Sequence, residues 1–288
     1  MKLHNVLAGC IPEPRGRDGL ALAVLLKEQA HGHLTVAYVQ PPAWSPPGPA
    51  KAEETAWRAY LMEQADATLW RARELAGKDA DYVIHTSSGS GRGLVALARR
   101  RGADVVVIGS APHGGKGRIT VGSTADQLLH SSSVPVLLAP RGYGDEPPAA
   151  FDRLTVAYHR GPGCDAAVKD AAMAAVALDV PLRLVTLVVS SGRPAKVEED
   201  MLARLREHAA GDLRVAAREQ ARRVRVEAEV LEGRNIAQAL GATSWLPGEM
   251  IICASSDTGP LRRVFLGDTS LKIIRASTCP VMILSRRL

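Results

Sequence analysis

Aromatic residues are scarce in this chain, with two Phe, five Tyr and four Trp among 288 residues. Leu, Val, Ile and Ala must therefore fill its cores. Long apolar runs are missing as well. None approaches the roughly 18 residues of a membrane-crossing helix, so no membrane partner is expected. Cysteine is limited to Cys10, Cys164, Cys253 and Cys279, without a CxxC pair or a Cys/His metal spacing. Three of the four lie in or beside apolar runs, where a thiol behaves as a small hydrophobe, and a reducing cytoplasm suits them best. A strong excess of one charge is also lacking: 36 basic against 30 acidic residues leave +6. The triplet Arg99–Arg101 ends a predicted helix, where cations suit the dipole, and reads as a solvated face rather than a nucleic-acid surface.

Several catalytic signatures are absent. No GxxxxGK[ST] phosphate loop and no GxSxG nucleophile elbow occur. The run Ser87–Gly93 does not complete GxGxxG, so a dinucleotide fold lacks its fingerprint. His31-Gly-His33 resembles the HxGH of nucleotidyl transferases, but it precedes a strand and reads as a helix-ending turn. Leu7-Ala8-Gly9-Cys10 looks like a lipobox. The apolar stretch before it is short and interrupted by His4 and Asn5, so a first buried strand is expected instead.

What remains is an ordinary globular composition, 46% hydrophobic and 23% charged, at a length that suggests two domains. The chain repeats itself at an offset of 145 residues. Gly122, Thr124, Ser132, Pro135 and Val136 fall on Gly267, Thr269, Ser277, Pro280 and Val281, and Ser110 falls on Ser255. Apolar runs at 3–8, 34–39, 82–85, 105–108 and 134–138 alternate with helical patterns near 17–30, 52–76, 92–101 and 122–131. In the second half, strands are expected near 153–158, 182–189, 225–231, 250–254 and 280–284. Helices are expected near 165–178, 196–222, 234–242 and 268–276. This alternation implies parallel β-α-β units with right-handed crossovers, and strands apolar on both faces imply helices on each side. The Pro/Gly-rich stretch 140–150 reads as the linker, which puts the domains at 1–145 and 151–288. The Pro-rich stretch 40–50 reads as a loop at the carboxyl edge of the sheet, where open α/β sheets bind ligands. Trp57, Leu61 and Leu69 keep helical spacing and read as core.

The segment from Gly109 to Thr124 leaves a strand, runs through a glycine-rich basic loop and enters a helix at Gly122-Ser123. Glycine amides, a helix start, Lys116, Arg118 and the hydroxyls of Ser123 and Thr124 together describe a phosphate cradle. An ordinary loop with a helix cap is the alternative. At this point the chain resembles the universal stress protein family, whose nucleotide-binding members carry G-x2-G-x9-G-[ST] after the fourth strand, followed by a helix and a strand of the type PV-[LIM]-[LIV]. Gly109, Gly122 and Ser123 match that spacing. The middle glycine falls on Pro112, and Gly114 and Gly115 follow closely.

The resemblance covers both halves. It implies an α/β protein of two tandem doubly wound domains, each a five-stranded parallel sheet in order 3-2-1-4-5 with helices on both faces. The nucleotide is expected across the first and fourth strands. It further implies ATP as ligand of the first domain only, with phosphates at 114–124 on Gly114, Gly115, Lys116, Gly122, Ser123 and Thr124. Ile108 precedes the motif, Val39 ends the second strand, and Ile11 stands where an adenine-contacting aspartate is usual. In the second half the motif reads Ala254-Ser-Ser-Asp257 and then Gly267-Asp268. Two carboxylates replace a glycine and a serine, Arg262 and Arg263 stand opposite, and His159 takes the first-strand position. A site serving only structure is expected there.

The function implied is a cytoplasmic, non-enzymatic stress or regulatory protein that responds to adenine nucleotide. A scaffold of the same fold that binds no nucleotide is its rival. A third reading, an adenylate-forming or pyrophosphatase enzyme of related fold, needs a phosphate motif after the first strand, and 9–19 offers only a Gly/Pro-rich approximation. The halves are expected to meet as an intramolecular pseudo-dimer through their last strands, with room left for a homodimer.

Overall fold

The computed structural model describes residues 1–12, 16–42, 51–190, 196–255 and 268–285. Its first half runs β1 (Asn5–Cys10), α1 (Gly16–Gln29), β2 (His33–Gln40), α2 (Lys51–Ala76), β3 (Asp81–Thr86), α3 (Ser90–Arg101), β4 (Val105–Gly109), α4 (Ser123–Ser131) and β5 (Val136–Ala139). The second half runs β6 (Arg153–Ala157), α5 (Pro162–Leu178), β7 (Leu182–Val189), α6 (Lys196–Gln220), β8 (Val226–Gly233), α7 (Ile236–Gly241), β9 (Glu249–Cys253), α8 (Asp268–Ala276) and β10 (Val281–Ile283). Among the described residues no helix is long and apolar enough to cross a membrane.

All ten strands form one sheet in the order β3-β2-β1-β4-β5-β10-β9-β6-β7-β8. Each half contributes five strands in the expected 3-2-1-4-5 order, paired in parallel. The halves join where β5 and β10 run antiparallel, with Val281 opposite Leu138, Met282 opposite Leu137 and Ile283 opposite Val136. Two edge strands thereby cover each other's unpaired backbone groups.

Strand residues alternate between two cores. Val105 and Val107 face a cluster with α1, α2, α5 and α6, while Val106 and Ile108 face one with α3, α4, α7 and α8. Both faces of these strands are covered, which is why they read as continuous apolar runs. Few aromatics enter either cluster. Among the described residues, Phe151, Tyr38 and Tyr158 are the ones buried, alongside Leu, Val, Ile and Ala.

The sequence repeat has a structural counterpart at the same offset. Helices α4 and α8 each span nine residues. After them, the hydroxyl of Ser132 accepts from the Val134 amide and donates to its carbonyl, and Ser277 does the same with Cys279. The carbonyls of Pro135 and Pro280 accept from Val106 and Ile251. These serines recur because they turn the chain from helix into the final strand.

Two of the boundaries that differ from the sequence expectation show why. Strand β1 begins at Asn5, because the amides of His4 and Asn5 bond the Asp104 carboxylate. Leu3 is buried all the same. Apolarity reported burial there, whereas the ladder starts where the neighbouring strand is in reach. Helix α3 starts at Ser90 inside the glycine run. A Cβ on Gly91 would lie 2.5 Å from that of Gln127 and 2.8 Å from the Thr124 carbonyl. Glycine here lets the first turn of α3 press against α4. At its other end, Gly102 adopts φ 61° and closes the helix with a left-handed residue.

Candidate functional site

In an order 3-2-1-4-5, the chain leaves β1 toward one side of the sheet and enters β4 on the other. The flanking helices diverge at that point and leave a crevice outside the carboxyl ends of the two strands. The first half holds a cavity of about 140 Å³ there. Its floor is Gly9, Cys10 and Ile11 from β1 and beyond, with Ile108 and Gly109 from β4. Val39 and Leu94 close the apolar side, and Ser90, Gly122, Ser123 and Thr124 form the polar end.

The described residues that line it carry no charge. The Cys10 thiol is pushed up to about 11 by burial, although a contact to the Ile11 carbonyl lowers it. A thiol so raised stays protonated near neutrality and is a poor nucleophile. At the polar end the hydroxyls of Ser90 and Thr124 are hydrogen-bonded to each other. Gly89 and Gly122 precede α3 and α4 and, as glycines, offer no capping side chain; in α3 the Arg92 amide is taken by Gln127 Oε1 at 3.3 Å. Two helix N-termini therefore converge on one spot, each with N–H groups that lack an intrahelical partner.

Of the residues singled out in the sequence, Ile11, Val39, Ile108, Gly109, Gly122, Ser123 and Thr124 come together in the lining. Ile11 remains 41% exposed, at the mouth. Gly114, Gly115 and Lys116 lie outside it. Lys116 pairs with Asp145 of the linker at 3.0 Å, and Arg118 donates to the carbonyl of Ala276 at the end of α8. Pro112, at the middle position of the glycine motif, does line the cavity. The sequence reading missed Ser90 and Leu94. The signal available was the Ser/Gly run 87–93, whose small residues mark a close helix approach as well as a turn.

The second half places a larger cavity, about 330 Å³, at the equivalent crevice between β6 and β9. Tyr158, His159, Cys164, Ser255, Thr269 and Ser270 are among its walls. Asp268, expected to stand against phosphate, is not part of that lining; it is exposed and pairs with Lys272 one turn on. The expectations on Asp257, Arg262, Arg263 and Gly267 fall outside the described residues.

Comparison with known proteins agrees with this architecture. The Universal stress protein family matches residues 5–140 and again 150–285. A universal stress protein of Mycobacterium tuberculosis (strain ATCC 25618 / H37Rv) is 33% identical over 299 aligned residues, covering 97% of this chain and 99% of that protein. Among solved structures, a universal stress protein from Archaeoglobus fulgidus DSM 4304 superposes with a TM-score of 0.63 at 19% identity, over 98% of this chain and 96% of that one. One from Pseudomonas aeruginosa UCBPP-PA14, described as putative, gives 0.57 at 16% identity, over 98% and 93%. The strand order, the paired crevices and the two family matches lead to one conclusion: the chain belongs to the universal stress protein family and carries two of its domains in tandem.

Proposed function

We propose that the first half binds one adenine nucleotide in the cavity between β1 and β4, and that the chain acts as a nucleotide-responsive regulatory protein of the stress response rather than as an enzyme. The carrying observation is the joint lining of that cavity by an apolar wall and two helix starts whose N-cap residues are glycines. Ile11, Val39 and Ile108 offer a flat base an apolar slot. Gly109, Gly122, Ser123 and Thr124 offer an anion the start of α4, where free amides and the helix dipole favour negative charge. We take residues 1–145 and 151–288 as the two domains, and the β5–β10 junction as an internal substitute for a dimer contact. Four buried thiols with no disulfide among them suit a reducing cytoplasm.

The test is calorimetry on the full chain with AMP, ADP and ATP. One site per chain is expected. In Ser123→Asp, a carboxylate sits beside the phosphate. Two unit charges about 4 Å apart repel by roughly 4 kcal/mol at an effective dielectric near 20, so affinity should fall by far more than tenfold. Two equal sites, or binding untouched by this substitution, would sink the assignment. Absence of any heat would favour the scaffold reading, which draws its support from Ile11 in place of a base-reading carboxylate.

Turnover should stay at trace level. No carboxylate or imidazole is among the described residues lining the cavity, and positioning without a base or a metal clamp yields binding alone. ATP hydrolysis near one per second that survives repurification and vanishes in Ser123→Ala would contradict this.

A further inference from the structure

We propose that the first-half cavity takes a nucleoside carrying a single phosphate group in preference to the corresponding di- or triphosphate. This rests on the nucleotide reading above and narrows it. The loop between Gly109 and Gly122 is where a second and third phosphate would have to be held, and several of its donors, both its cations included, are already engaged. The amides of Ala111 and Thr120 bond the Thr120 carbonyl and the Ser110 hydroxyl across the loop, at 2.9 and 2.8 Å. The amide of Arg118 bonds the Gly115 carbonyl, and that of Gly117 reaches the Arg141 carbonyl in the linker at 2.8 Å. Lys116 is held by Asp145, Arg118 by Ala276, and the Arg141 guanidinium by the Gly114 carbonyl.

The linker side is fixed in turn. Gly142 and Gly144 donate their amides to the buried Asp18 carboxylate of α1 at 2.9 and 2.8 Å. The loop is thus one wall of the joint between the halves. Redirecting these amides or Arg118 toward phosphate means breaking bonds of that joint, and redirecting Lys116 means giving up its exposed pair with Asp145. The polar end of the cavity offers the Ser90, Ser123 and Thr124 hydroxyls and those first-turn amides of α3 and α4 that no side chain takes. Those donors suffice for one tetrahedral anion. A further phosphate brings more charge into a small cavity with no cation among the described residues that line it, and desolvating unpaired charge is unfavourable.

The chemistry is shared by a phosphate monoester and a cyclic diester, so both are tested. Titration of the full chain with AMP, cAMP, ADP and ATP, read by calorimetry, should give affinities at least tenfold higher for AMP or cAMP than for ATP. AMP alone, cAMP alone, or both above ATP supports the proposal and identifies the ester form. Asp145→Asn releases Lys116 and should raise ATP affinity severalfold while leaving AMP unchanged. ATP binding as tightly as AMP in the parent chain, or an AMP-to-ATP ratio unmoved by Asp145→Asn, overturns the proposal and leaves the nucleotide reading standing. Failure of all four nucleotides to bind removes both.

Discussion

Glu249→Ala is expected to lower the thermal midpoint by about 10 °C, a large loss for one side chain. Glu249 opens β9 and is fully buried. Its carboxylate accepts from Nε and Nη2 of Arg153 at 3.1 and 2.7 Å, from the Thr155 hydroxyl and from the Leu246 amide at 3.0 Å. Nη1 of Arg183 stands 3.4 Å away. Arg183 is 3% exposed at its side chain, bonds Glu229 and Thr243, and lies 5.3 Å over the Trp245 ring. Removing the carboxylate leaves two guanidiniums in this enclosure without their shared anion, and breaking a buried pair in this way costs about 3–5 kcal/mol. For a chain of this size each kcal/mol moves the midpoint by about 2–4 °C. Burial raises the affinity of Glu249 for a proton, but the bonds from Arg153, Thr155 and Leu246 outweigh it and hold the carboxyl below its ordinary value. A group depressed on folding contributes stability above its unfolded pKa, and that contribution is lost as pH falls through the folded value. Melts from pH 7 to pH 3 should therefore show the parent losing stability more steeply than Glu249→Ala below about pH 4.3, the unfolded value of a glutamate. A substituted chain melting within 2 °C of the parent at pH 7 would mean that the network does not hold this end of the sheet.

The second large effect is expected at the junction of the halves. Met282 is the central residue of β10, lies opposite Leu137 and is fully buried in the cluster with α1 and α5. Met282→Asp places a carboxylate where the surrounding side chains are apolar. Such an unpaired buried charge belongs to the class of substitutions that exceed about 4 kcal/mol. The expected result is loss of a cooperative melt or of soluble protein. Met282→Ala is the milder probe, at about 2–5 kcal/mol for a truncated core side chain. In hydrogen exchange, the amides of Val281–Ile283 and Val136–Ala139 should be protected together in the parent and should quicken together in Met282→Ala. A normal melt for Met282→Asp, or fast exchange of β10 in the parent, would contradict the continuous sheet.

The alternation of apolar runs and helical patterns located every strand and helix of the fold to within a few residues, because strands covered on both faces leave an unbroken hydrophobic signature. Helix α3 shows the limit. The helix was expected from residue 92, yet Gly91 is inside it, with Gln127 and the Thr124 carbonyl packed against it. Only the neighbouring helix distinguishes such a glycine from one in a turn. The polar side of the candidate site was legible in part: Gly109, Gly122, Ser123 and Thr124 follow from a spacing along one chain segment. Ser90 was not, since it reaches the site from a different β-α unit.

Lys116 and Arg118 carry the same lesson for charge. In the sequence they are two cations in a glycine-rich loop before a helix, and a phosphate is the natural partner. In the folded chain Asp145 and Ala276 take them, from 29 and 158 residues away. By itself the sequence determined the fold class, the repeat, the strand order through its family resemblance and the crevice at which a ligand would sit, because those depend on local periodicity and on the topology that right-handed crossovers allow. Which donors around that crevice remain free, and the register in which β5 and β10 pair, were decided by tertiary structure. Hydrogen bonds and ion pairs are made by whichever partners packing brings within about 3 Å, and that proximity is not written in the spacing of the residues along the chain.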